Sequence, residues 1–428
     1  VQLTRIDDDN VRLAGYRWSP DGTRLAVLES DRREVPQRFL PDYRPDDIGE
    51  EPVLREIRRA HPGEPAPRQR VGVLDVDGGD VQWIPLDDPA PEMILDYRWS
   101  PDGSRLAIDT SDLYAKDRRI YVADLTGESP KASVVVREND PLNETFYFWR
   151  IDWSVDSQRL YFLSDREEDY HLWAADPSRP GAASVRLTRG SWAVADLHPV
   201  DGGAIVVGNR GNAEERHLFR VPDSGGEVVR LSTTPGTHTP TVSPDGGHAA
   251  VAFSNDSTPP DLLLLSLGAE PEERQVTRSP LAEFSTYRWV TPQYVSFASH
   301  VDGTTLHGRL TLPPDFDPSH SYPAILGSVY TDSVRNQWGG RTAHPTWGLD
   351  QYLAQEGYIL LNVDMRGSWG RGREHRRGIR LDYGGMDIED LESGVRFLAT
   401  LGYVDMDRVG IWGSSYGGLM TAMSLFRK

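Results

Sequence analysis

The chain has 428 residues and carries 65 acidic against 46 basic side chains, for a net charge of −19, and it contains no cysteine. This length exceeds one ordinary domain, so we expect two or three domains. The negative charge disfavours nucleic acid and anionic membrane surfaces as partners. Without cysteine, the chain can form no disulfide, no zinc–thiolate site and no thiol nucleophile. No apolar run approaches the roughly 20 residues of a membrane span, so we expect no span.

The first 255 residues contain a repeated motif. "YRWSPDGTRLAVLES" at 16–30 recurs as "YRWSPDGSRLAIDTS" at 97–111, and weaker copies occupy 151–165, 196–210 and 240–254. Pro-Asp-Gly predicts a tight turn, because Pro fixes φ and Gly accepts a positive φ. The flanking segments alternate apolar and polar residues, as half-buried strands do. Each copy therefore predicts a β-hairpin, and the stretches between copies predict second hairpins.

The spacing of these copies indicates a β-propeller. Successive copies lie 81, 54, 45 and 44 residues apart. A period near 45 residues with four short strands per unit is typical of propeller blades. A β-sandwich with repeated turns is the alternative, and the regular self-similarity favours the propeller. About five blades are visible, and Val1 is not an initiator Met, so we expect a piece of a longer protein and an incomplete propeller.

The long first interval contains an insertion at 42–67, "DYRPDDIGEEPVLREIRRAHPGEPAP", rich in Pro and charge. Such a composition is typical of a solvated loop. An arm that reaches a partner is the other interpretation, and the sequence leaves both open.

From about residue 295 the pattern changes to alternating strands and helices. Because the predicted strands are apolar throughout, we expect a parallel sheet with both faces covered. The helix after residue 386 carries Ile388, Leu391, Val395 and Leu398 on one face, and Gly402 follows its end. The predicted strands are 322–330, 358–364 and 407–413, and the predicted helices are 346–357, 387–402 and 415–426.

The third of these strands leads into "GSSYGG", which fits G-x-S-x-G with Ser415 at its centre. A serine on a sharp strand-to-helix turn exposes its hydroxyl as a nucleophile, and Gly413 and Gly417 permit the tight packing around it. The N–H of Tyr416 opens the next helix and can donate to an oxyanion. The alternative is a structural turn with an incidental serine. We predict an all-β propeller at 1–290 and the N-terminal part of an α/β-hydrolase domain at 291–428.

The other members of a catalytic triad follow the serine in this fold. Only 13 residues follow Ser415, and none is Asp, Glu or His. His344 and His375 lie upstream and are expected to be loop residues. We therefore expect the catalytic Asp and His to lie outside this chain.

Several stretches resemble the prolyl oligopeptidase family of serine peptidases, and specifically its dipeptidyl peptidase IV branch. The resemblance extends over nearly the whole chain, from about residue 8 to residue 423. Its motifs are "GYRWSPDGTRLA", "RQRVGVLDV", "SDREEDYHLW", "GTHTPTVSPDG", "DGTTLHGRLTLPPDFDPSHSYPAI", "VDMRGSWGRG" and "YVDMDRVGIWGSSYGG".

The resemblance implies roles for further residues. Tyr330, which closes the predicted strand "AILGSVY", matches a tyrosine whose hydroxyl donates to the oxyanion; a strand-end core tyrosine is the alternative. This chain continues "VYTDSV" where the family has a Gly-Gly-Pro-like segment. Asp8 and Asp9 match paired glutamates that bind the substrate's ammonium, with a solvated acidic loop as the alternative. Ser414 stands where the branch commonly has Trp.

Two other charged stretches are expected to be structural. Asp364 and Arg366 in "VDMRGSWGRG" are expected to form a buried ion pair or to anchor a loop. The cluster "REEDYH" at 166–171 matches a propeller turn of the family.

The resemblance implies a serine exopeptidase that releases dipeptides from free peptide N-termini after Pro or Ala. The alternatives are an acylaminoacyl-peptidase or oligopeptidase of the same family, or a non-catalytic propeller scaffold with a vestigial hydrolase domain. Short peptides are the expected substrates, no metal or organic cofactor is implied, and a homodimer is a possible assembly. Relatives of this type are often periplasmic or secreted.

Overall fold

A computed structural model of the chain describes residues 3–4, 6–43, 51–87, 91–143, 145, 147–327, 329–339 and 348–428. Two compact units make up the chain. The first comprises residues 1–146, 150–162 and 174–185, and the second comprises residues 147–149, 163–173 and 186–428.

Five four-stranded sheets follow one another along the chain. Their strand orders are β1-β2-β5-β6, β7-β8-β9-β10, β11-β12-β13-β14, β15-β16-β17-β18 and β19-β20-β21-β22. The strands of the first two sheets are β1 (Val11–Trp18), β2 (Arg24–Asp31), β5 (Arg68–Asp75), β6 (Gln82–Trp83), β7 (Met93–Trp99), β8 (Arg105–Ser111), β9 (Asp117–Asp124) and β10 (Lys131–Asn139). Those of the other three are β11 (Ile151–Trp153), β12 (Leu160–Ser164), β13 (His171–Ala175), β14 (Val185–Arg186), β15 (Val194–Val200), β16 (Gly203–Gly208), β17 (His217–Pro222), β18 (Val229–Arg230), β19 (Thr237–Val242), β20 (His248–Asn255), β21 (Thr258–Ser266) and β22 (Glu273–Gln275).

Every copy of the repeated motif forms the first hairpin of one of these sheets, which confirms the hairpin prediction. The motif's Ser and Asp close the turn together. Ser19 Oγ donates to Asp21 Oδ1 at 2.6 Å, and the equivalent bond recurs at Ser100–Asp102, Ser154–Asp156 and Ser243–Asp245. These hydrogen bonds stabilise the carboxylate and lower the pKa of Asp21 to about 2. The arrangement of the five sheets about a common axis stays a prediction.

The described part of the insertion supplies the second strand of an antiparallel hairpin. Strands β3 (Gln37–Asp42) and β4 (Val53–Arg58) pair from Gln37↔Arg58 to Asp42↔Val53. Phe39, Leu40 and Leu54 are exposed on it. The hairpin agrees with an arm better than with an irregular solvated loop, and its contact with a partner stays a prediction.

Residues 293–411 supply a five-stranded sheet of order β23-β24-β26-β25-β27. Its strands are β23 (Gln293–Ala298), β24 (Thr305–Thr311), β25 (Tyr322–Leu326), β26 (Ile359–Asp364) and β27 (Val404–Ile411), and its helices are α1 (Leu349–Gln355), α2 (Arg373–Arg377), α3 (Met386–Thr400) and α4 (Tyr416–Arg427). A short 3-10 helix, Ala282–Thr286, precedes the sheet.

The three predicted strands pair in parallel as expected, but two strands that the sequence analysis did not predict, β23 and β24, make the sheet mixed. β25 pairs in parallel with β26 and β27, whereas β24 pairs antiparallel with both β23 and β26. A six-residue turn joins β23 to β24, and so short a link can connect only antiparallel neighbours. The prediction that β27 is buried is wrong, because β27 pairs on one side only among the described strands and its residues 406–408 are exposed.

The predicted helices are present and pack as expected. Ile388, Leu391 and Leu398 of α3 are buried in one hydrophobic core with β25 and β26, and Val395 packs against it. Helices α1 and α3 are followed by Gly357 and Gly402, both with positive φ. Every residue of β26 is buried, as the continuous apolar run predicts. This core supports the strand-to-helix junction after β27.

Candidate active site

Ser415 occupies the sharp junction between β27 and α4. Its backbone has φ 55° and ψ −120°, a conformation that a residue with a side chain adopts only under strain. The side chain is exposed, and among the described residues it makes no hydrogen bond. This geometry fits the nucleophile turn that the sequence predicts.

Glycine is required on both sides of Ser415. A Cβ at Gly413 would lie 2.5 Å from the carbonyl oxygen of Gly417, so the two glycines touch each other across the turn. A Cβ at Gly417 would overlap the carbonyl oxygen of Val329. The loop after β25 therefore packs directly against the first turn of α4.

Tyr416 is the first residue of α4, a helix of 12 residues. The first N–H groups of a helix have no partner within the helix and can bind an anion. The Tyr416 hydroxyl donates to Asp387 Oδ2 at 2.5 Å. Burial, together with this bond and the negative charge of Asp387, raises the pKa of Tyr416. The side chain therefore stays protonated as a donor.

Tyr330 lies beside Tyr416 but not where the sequence predicts. Strand β25 ends at Leu326, so Tyr330 follows it in a loop and does not close the strand. Its ring meets the ring of Tyr416 edge to face, with centroids 5.5 Å apart and an interplanar angle of 78°. The two predicted oxyanion donors thus belong to neighbouring residues in space.

The "TDSV" segment after Tyr330 is held by hydrogen bonds. Ser333 Oγ donates to the Tyr330 carbonyl at 2.7 Å. Asp332 has a left-handed φ of 59°, and its Oδ1 accepts the N–H of Trp369 at 2.5 Å. The departure from the family's segment therefore still gives a fixed loop.

Asp364 anchors the same loop from the end of β26. Its Oδ1 accepts the N–H of Val334 at 2.9 Å, and its Oδ2 accepts two bonds from Arg371 at 3.0 and 3.1 Å. Arg371 also pairs with Glu214 at 3.0 Å. Asp364 thus anchors the loop and forms a buried ion pair, although its partner is Arg371 and not Arg366.

Arg366 is structural in the same way. Its guanidinium pairs with Asp302 at 2.8 Å and with the fully buried Asp390 at 3.1 Å. Within the segment 166–171, Glu167 pairs with Arg186 at 2.5 Å and Asp169 pairs with Arg376 at 3.3 Å. Both findings agree with structural roles for these charged stretches.

His375 lies in α2, so the prediction of a loop residue is wrong for it. Its Nε2 donates to the Met365 carbonyl at 3.2 Å, and burial lowers its pKa to about 4. The bond and the burial together indicate a neutral structural histidine. His344 lies outside the described residues.

Asp8 and Asp9 belong to the first unit. Asp8 Oδ1 accepts the backbone N–H and the side-chain amide of Asn10 at 2.9 and 3.0 Å, and the backbone bond is the main cause of its lowered pKa. Asp9 is exposed. Their role toward a substrate stays a prediction.

Sequence reasoning missed a link between this acidic segment and the hairpin. Arg58, the last residue of β4, donates Nε to Asn10 Oδ1 at 2.6 Å and Nη1 to the Val35 carbonyl at 2.8 Å. No residue spacing could reveal a contact across 48 positions. The hairpin therefore helps to fix the turn that carries Asp8.

One described group has the donor atoms of a metal site. His300, Glu389 and Glu392 bring a ring nitrogen and two carboxylates within 4.8 Å of one another. Lys428 Nζ pairs with both carboxylates, at 2.8 and 2.6 Å, and Arg396 pairs with Glu392 at 2.5 Å. These cations already balance the charge, so the group agrees better with an ion-pair network.

Two family models match successive parts of the chain. The family described as the dipeptidyl peptidase IV (DPP IV) N-terminal region matches residues 11–260, and the prolyl oligopeptidase family matches residues 348–428. The chain belongs to the dipeptidyl peptidase IV branch of the prolyl oligopeptidase family. The second match contains Ser415 and Tyr416.

Curated relatives carry the name probable dipeptidyl-aminopeptidase B. That of Uncinocarpus reesii is 28% identical over 449 residues, covering 96% of this chain and 47% of its own length. That of Emericella nidulans is 27% identical, covering 95% of this chain and 47% of its own length. The chain thus spans about half the length of the curated relatives it matches.

The fold is similar to that of solved dipeptidyl peptidases. The crystal structure of Porphyromonas gingivalis dipeptidyl peptidase 4 superposes with a TM-score of 0.84 at 23% identity, covering the whole of this chain and 62% of that one. None of the helices in the described part of the chain is long and apolar enough to cross a membrane.

Proposed function

We propose that this chain supplies the nucleophile of a serine exopeptidase, which releases dipeptides from the free N-termini of short peptides, after Pro or Ala. The strained, left-handed backbone of Ser415 between a strand end and a helix start carries the proposal. The names of the relatives support the dipeptidyl peptidase class. We further propose a β-propeller at 1–290 and an α/β-hydrolase domain from 291.

The chemistry proceeds by acyl transfer at Ser415. Its Oγ attacks the scissile carbonyl carbon and gives its proton to a base outside the described residues, and the carbonyl oxygen becomes an oxyanion. The tetrahedral intermediate then breaks its C–N bond, the leaving amine takes up that proton, and an ester acyl-enzyme remains. Water hydrolyses this ester, which releases the dipeptide and restores the Ser415 hydroxyl. The N–H of Tyr416 and the hydroxyl of Tyr330 donate to the oxyanion. No imidazole or carboxylate of the described residues bonds to Ser415, so the proposal names no base.

Asp8 and Asp9 bind the ammonium group at the peptide's N-terminus. Two carboxylates facing one ammonium hold the N-terminus at a fixed place, which sets the cut two residues into the chain. A homodimer stays a prediction from the family resemblance.

The test uses the full-length protein and an activity-based fluorophosphonate probe. We expect labelling of wild type, loss of labelling in Ser415→Ala, and retention in Ser414→Ala, which removes the neighbouring hydroxyl as a matched control. Absence of labelling in wild type contradicts the enzyme and favours a non-catalytic scaffold.

Specificity is tested with Gly-Pro and Ala-Ala p-nitroanilides, each with a free or an acetylated amine. We expect cleavage of the free-amine substrates only, and a large rise in KM for these in Asp8→Asn and Asp9→Asn. Equal cleavage of acetylated substrates by wild type contradicts the exopeptidase and favours an acylaminoacyl-peptidase or oligopeptidase.

A further inference from the structure

Asp387 is a buried carboxylate at the start of α3. Its exposed fraction is 0%, and its contacts are three hydrogen bonds. Oδ2 accepts the N–H of Gly384 at 3.0 Å and the hydroxyl of Tyr416 at 2.5 Å, and Oδ1 accepts the N–H of Ile388 at 2.9 Å. Of the described residues, no Lys or Arg pairs with Asp387. A buried carboxylate without a cation is costly, so its hydrogen bonds must hold it there.

The residue that Asp387 binds is the one after the nucleophile. Tyr416 shares a peptide bond with Ser415, whose φ of 55° must be held by its surroundings. The Tyr416 ring meets the rings of Tyr330 and Tyr383 edge to face, at centroid distances of 5.5 and 5.7 Å. A shift of this ring would therefore move both the Tyr416 N–H and its neighbour Tyr330.

We propose that Asp387 is a positioning residue for the oxyanion site: by holding the Tyr416 hydroxyl, it aligns the Tyr416 N–H and, through the ring contact, the Tyr330 hydroxyl. This inference rests on the proposed function of Ser415 as nucleophile. Asp387 touches neither substrate nor oxyanion. Its side chain acts on the reaction only through Tyr416.

A purely structural role is the competing explanation. The bonds from Gly384 and Ile388 would by themselves make Asp387 useful at the start of α3. Tyr416→Phe separates the two roles, because it removes one hydroxyl and leaves both bonds, the ring and the backbone N–H in place.

The second unit offers a matched control. Tyr294 donates its hydroxyl to Asp256 Oδ2 at 2.5 Å, a tyrosine–carboxylate bond to another buried aspartate, which differs from Asp387 in that it also pairs with Arg309 at 2.8 Å. Tyr294→Phe therefore makes the same chemical change at a pair that has no part in the proposed oxyanion site. Any general cost of losing a tyrosine–carboxylate bond appears in both variants.

The experiment uses the full-length protein and measures kcat and KM for a dipeptidyl substrate. It also measures the affinity for an inhibitor, a dipeptide in which a boronic acid replaces the carboxyl group of the C-terminal Pro. The boronate forms a tetrahedral anion on the serine and so reports on the oxyanion donors. We expect Tyr416→Phe to lower kcat and boronate affinity by at least tenfold each, with KM within about twofold, and Tyr294→Phe to leave all three unchanged. Unchanged kcat and boronate affinity in Tyr416→Phe overturn the inference.

A double-mutant cycle tests whether Asp387 acts through Tyr416. We expect Asp387→Asn to lower kcat at least tenfold in the wild-type background and less than threefold in the Tyr416→Phe background. The second effect is smaller because Tyr416→Phe has already removed the hydrogen bond between the two side chains. Equal factors in both backgrounds overturn the inference. Thermal unfolding of each variant identifies any loss of kcat that comes from unfolding.

The two proposals fail differently. If wild type shows no labelling of Ser415, the proposed function is wrong and the inference with it. If Ser415 labels normally and Tyr416→Phe labels as fast as wild type, the proposed function stands and the inference alone is wrong.

Discussion

The carbonyl oxygen of Val329 occupies the space that a side chain at Gly417 would need. The loop carrying Tyr330 and the first turn of α4 therefore meet backbone to backbone. Such close approach is possible only for glycine. This backbone contact holds the two predicted oxyanion donors, Tyr330 and Tyr416, close together. A substitution that disrupts the contact should therefore impair both catalysis and folding.

Gly417→Ala should abolish fluorophosphonate labelling and destabilise the protein by at least about 2 kcal/mol, because the added methyl group must displace backbone. Gly418→Ala is the control. Its Cβ would lie 3.5 Å from the Gly413 carbonyl oxygen, an ordinary contact, and alanine favours a helix over glycine by about 1 kcal/mol. Labelling and thermal unfolding of both variants give the comparison. A Gly417→Ala protein as stable and as reactive as wild type would contradict the described turn.

Local patterns predicted the parts of the site that are contiguous in sequence. Ser415 and its glycines follow from one motif, because a strand, a sharp turn and a helix come directly after one another. The repeated hairpins follow from turn chemistry and alternation for the same reason. Contacts between distant segments were not predictable in this way. Asp387 looked like an ordinary acidic residue of a helix's first turn, and Arg58 like one charge in a polar insertion.

Two incomplete predictions have a common cause. Apolar strands predicted a parallel sheet, and β25, β26 and β27 are parallel, but β23 and β24 were not predicted, and the short turn between them makes them antiparallel. Likewise, the apolar run through residue 330 hid the end of β25 at Leu326. Tyr330 is half-buried in a loop, directly after the buried Val329, and an apolar loop segment looks like a strand when only the sequence is read.

Tyr330→Phe should lower kcat by about 100- to 1000-fold with little change in KM, because it removes one oxyanion donor and keeps the ring. The edge-to-face contact with Tyr416 persists in this variant, so thermal stability should stay within about 1 kcal/mol. Steady-state kinetics on a free-amine dipeptidyl anilide measure the effect. A kcat within threefold of wild type would assign Tyr330 to the core instead.

Asp364→Asn should lower kcat about tenfold and cost roughly 2 kcal/mol, since an amide cannot accept from both Val334 and Arg371. The loop carrying Tyr330 then loses its anchor. Asp302→Asn is the control, because Arg366 keeps Asp390 as its partner and Asp302 is 41% exposed; we expect less than about 1 kcal/mol there. Denaturant unfolding and kinetics on both variants separate the anchor from general ion-pair loss.

Arg58→Ala should raise KM for free-amine substrates by about five- to tenfold and leave kcat nearly unchanged. The lost bond to Asn10 frees the turn that holds Asp8, and a charged hydrogen bond contributes about 1.5 kcal/mol. Arg55→Ala removes a neighbouring arginine of β4 whose partner is Asp42, and should leave KM unchanged. If both variants raise KM by the same factor, the rise comes from the loss of positive charge on the hairpin and not from the loss of the Arg58–Asn10 hydrogen bond.

The protein should lose stability as the pH falls from 7 to 5, partly through His238. Burial, with smaller effects from His217 and Arg230, lowers its pKa to about 4 from an ordinary 6.5, against the opposing effects of the Arg216 carbonyl and Glu273. Between these two pKa values the unfolded chain binds a proton at this histidine and the folded chain does not. The contribution of His238 to stability is therefore fully present above pH 6.5 and is lost as the pH falls toward 4. This group alone should account for about 2 kcal/mol of unfolding free energy between pH 7 and 5.

The variant His238→Asn tests this prediction. Its side-chain amide can replace the Nδ1–H donor to the Arg216 carbonyl, and an amide does not titrate in this range. Denaturant unfolding at both pH values should show a pH dependence smaller by that amount, and an unchanged dependence would exclude His238 as its source.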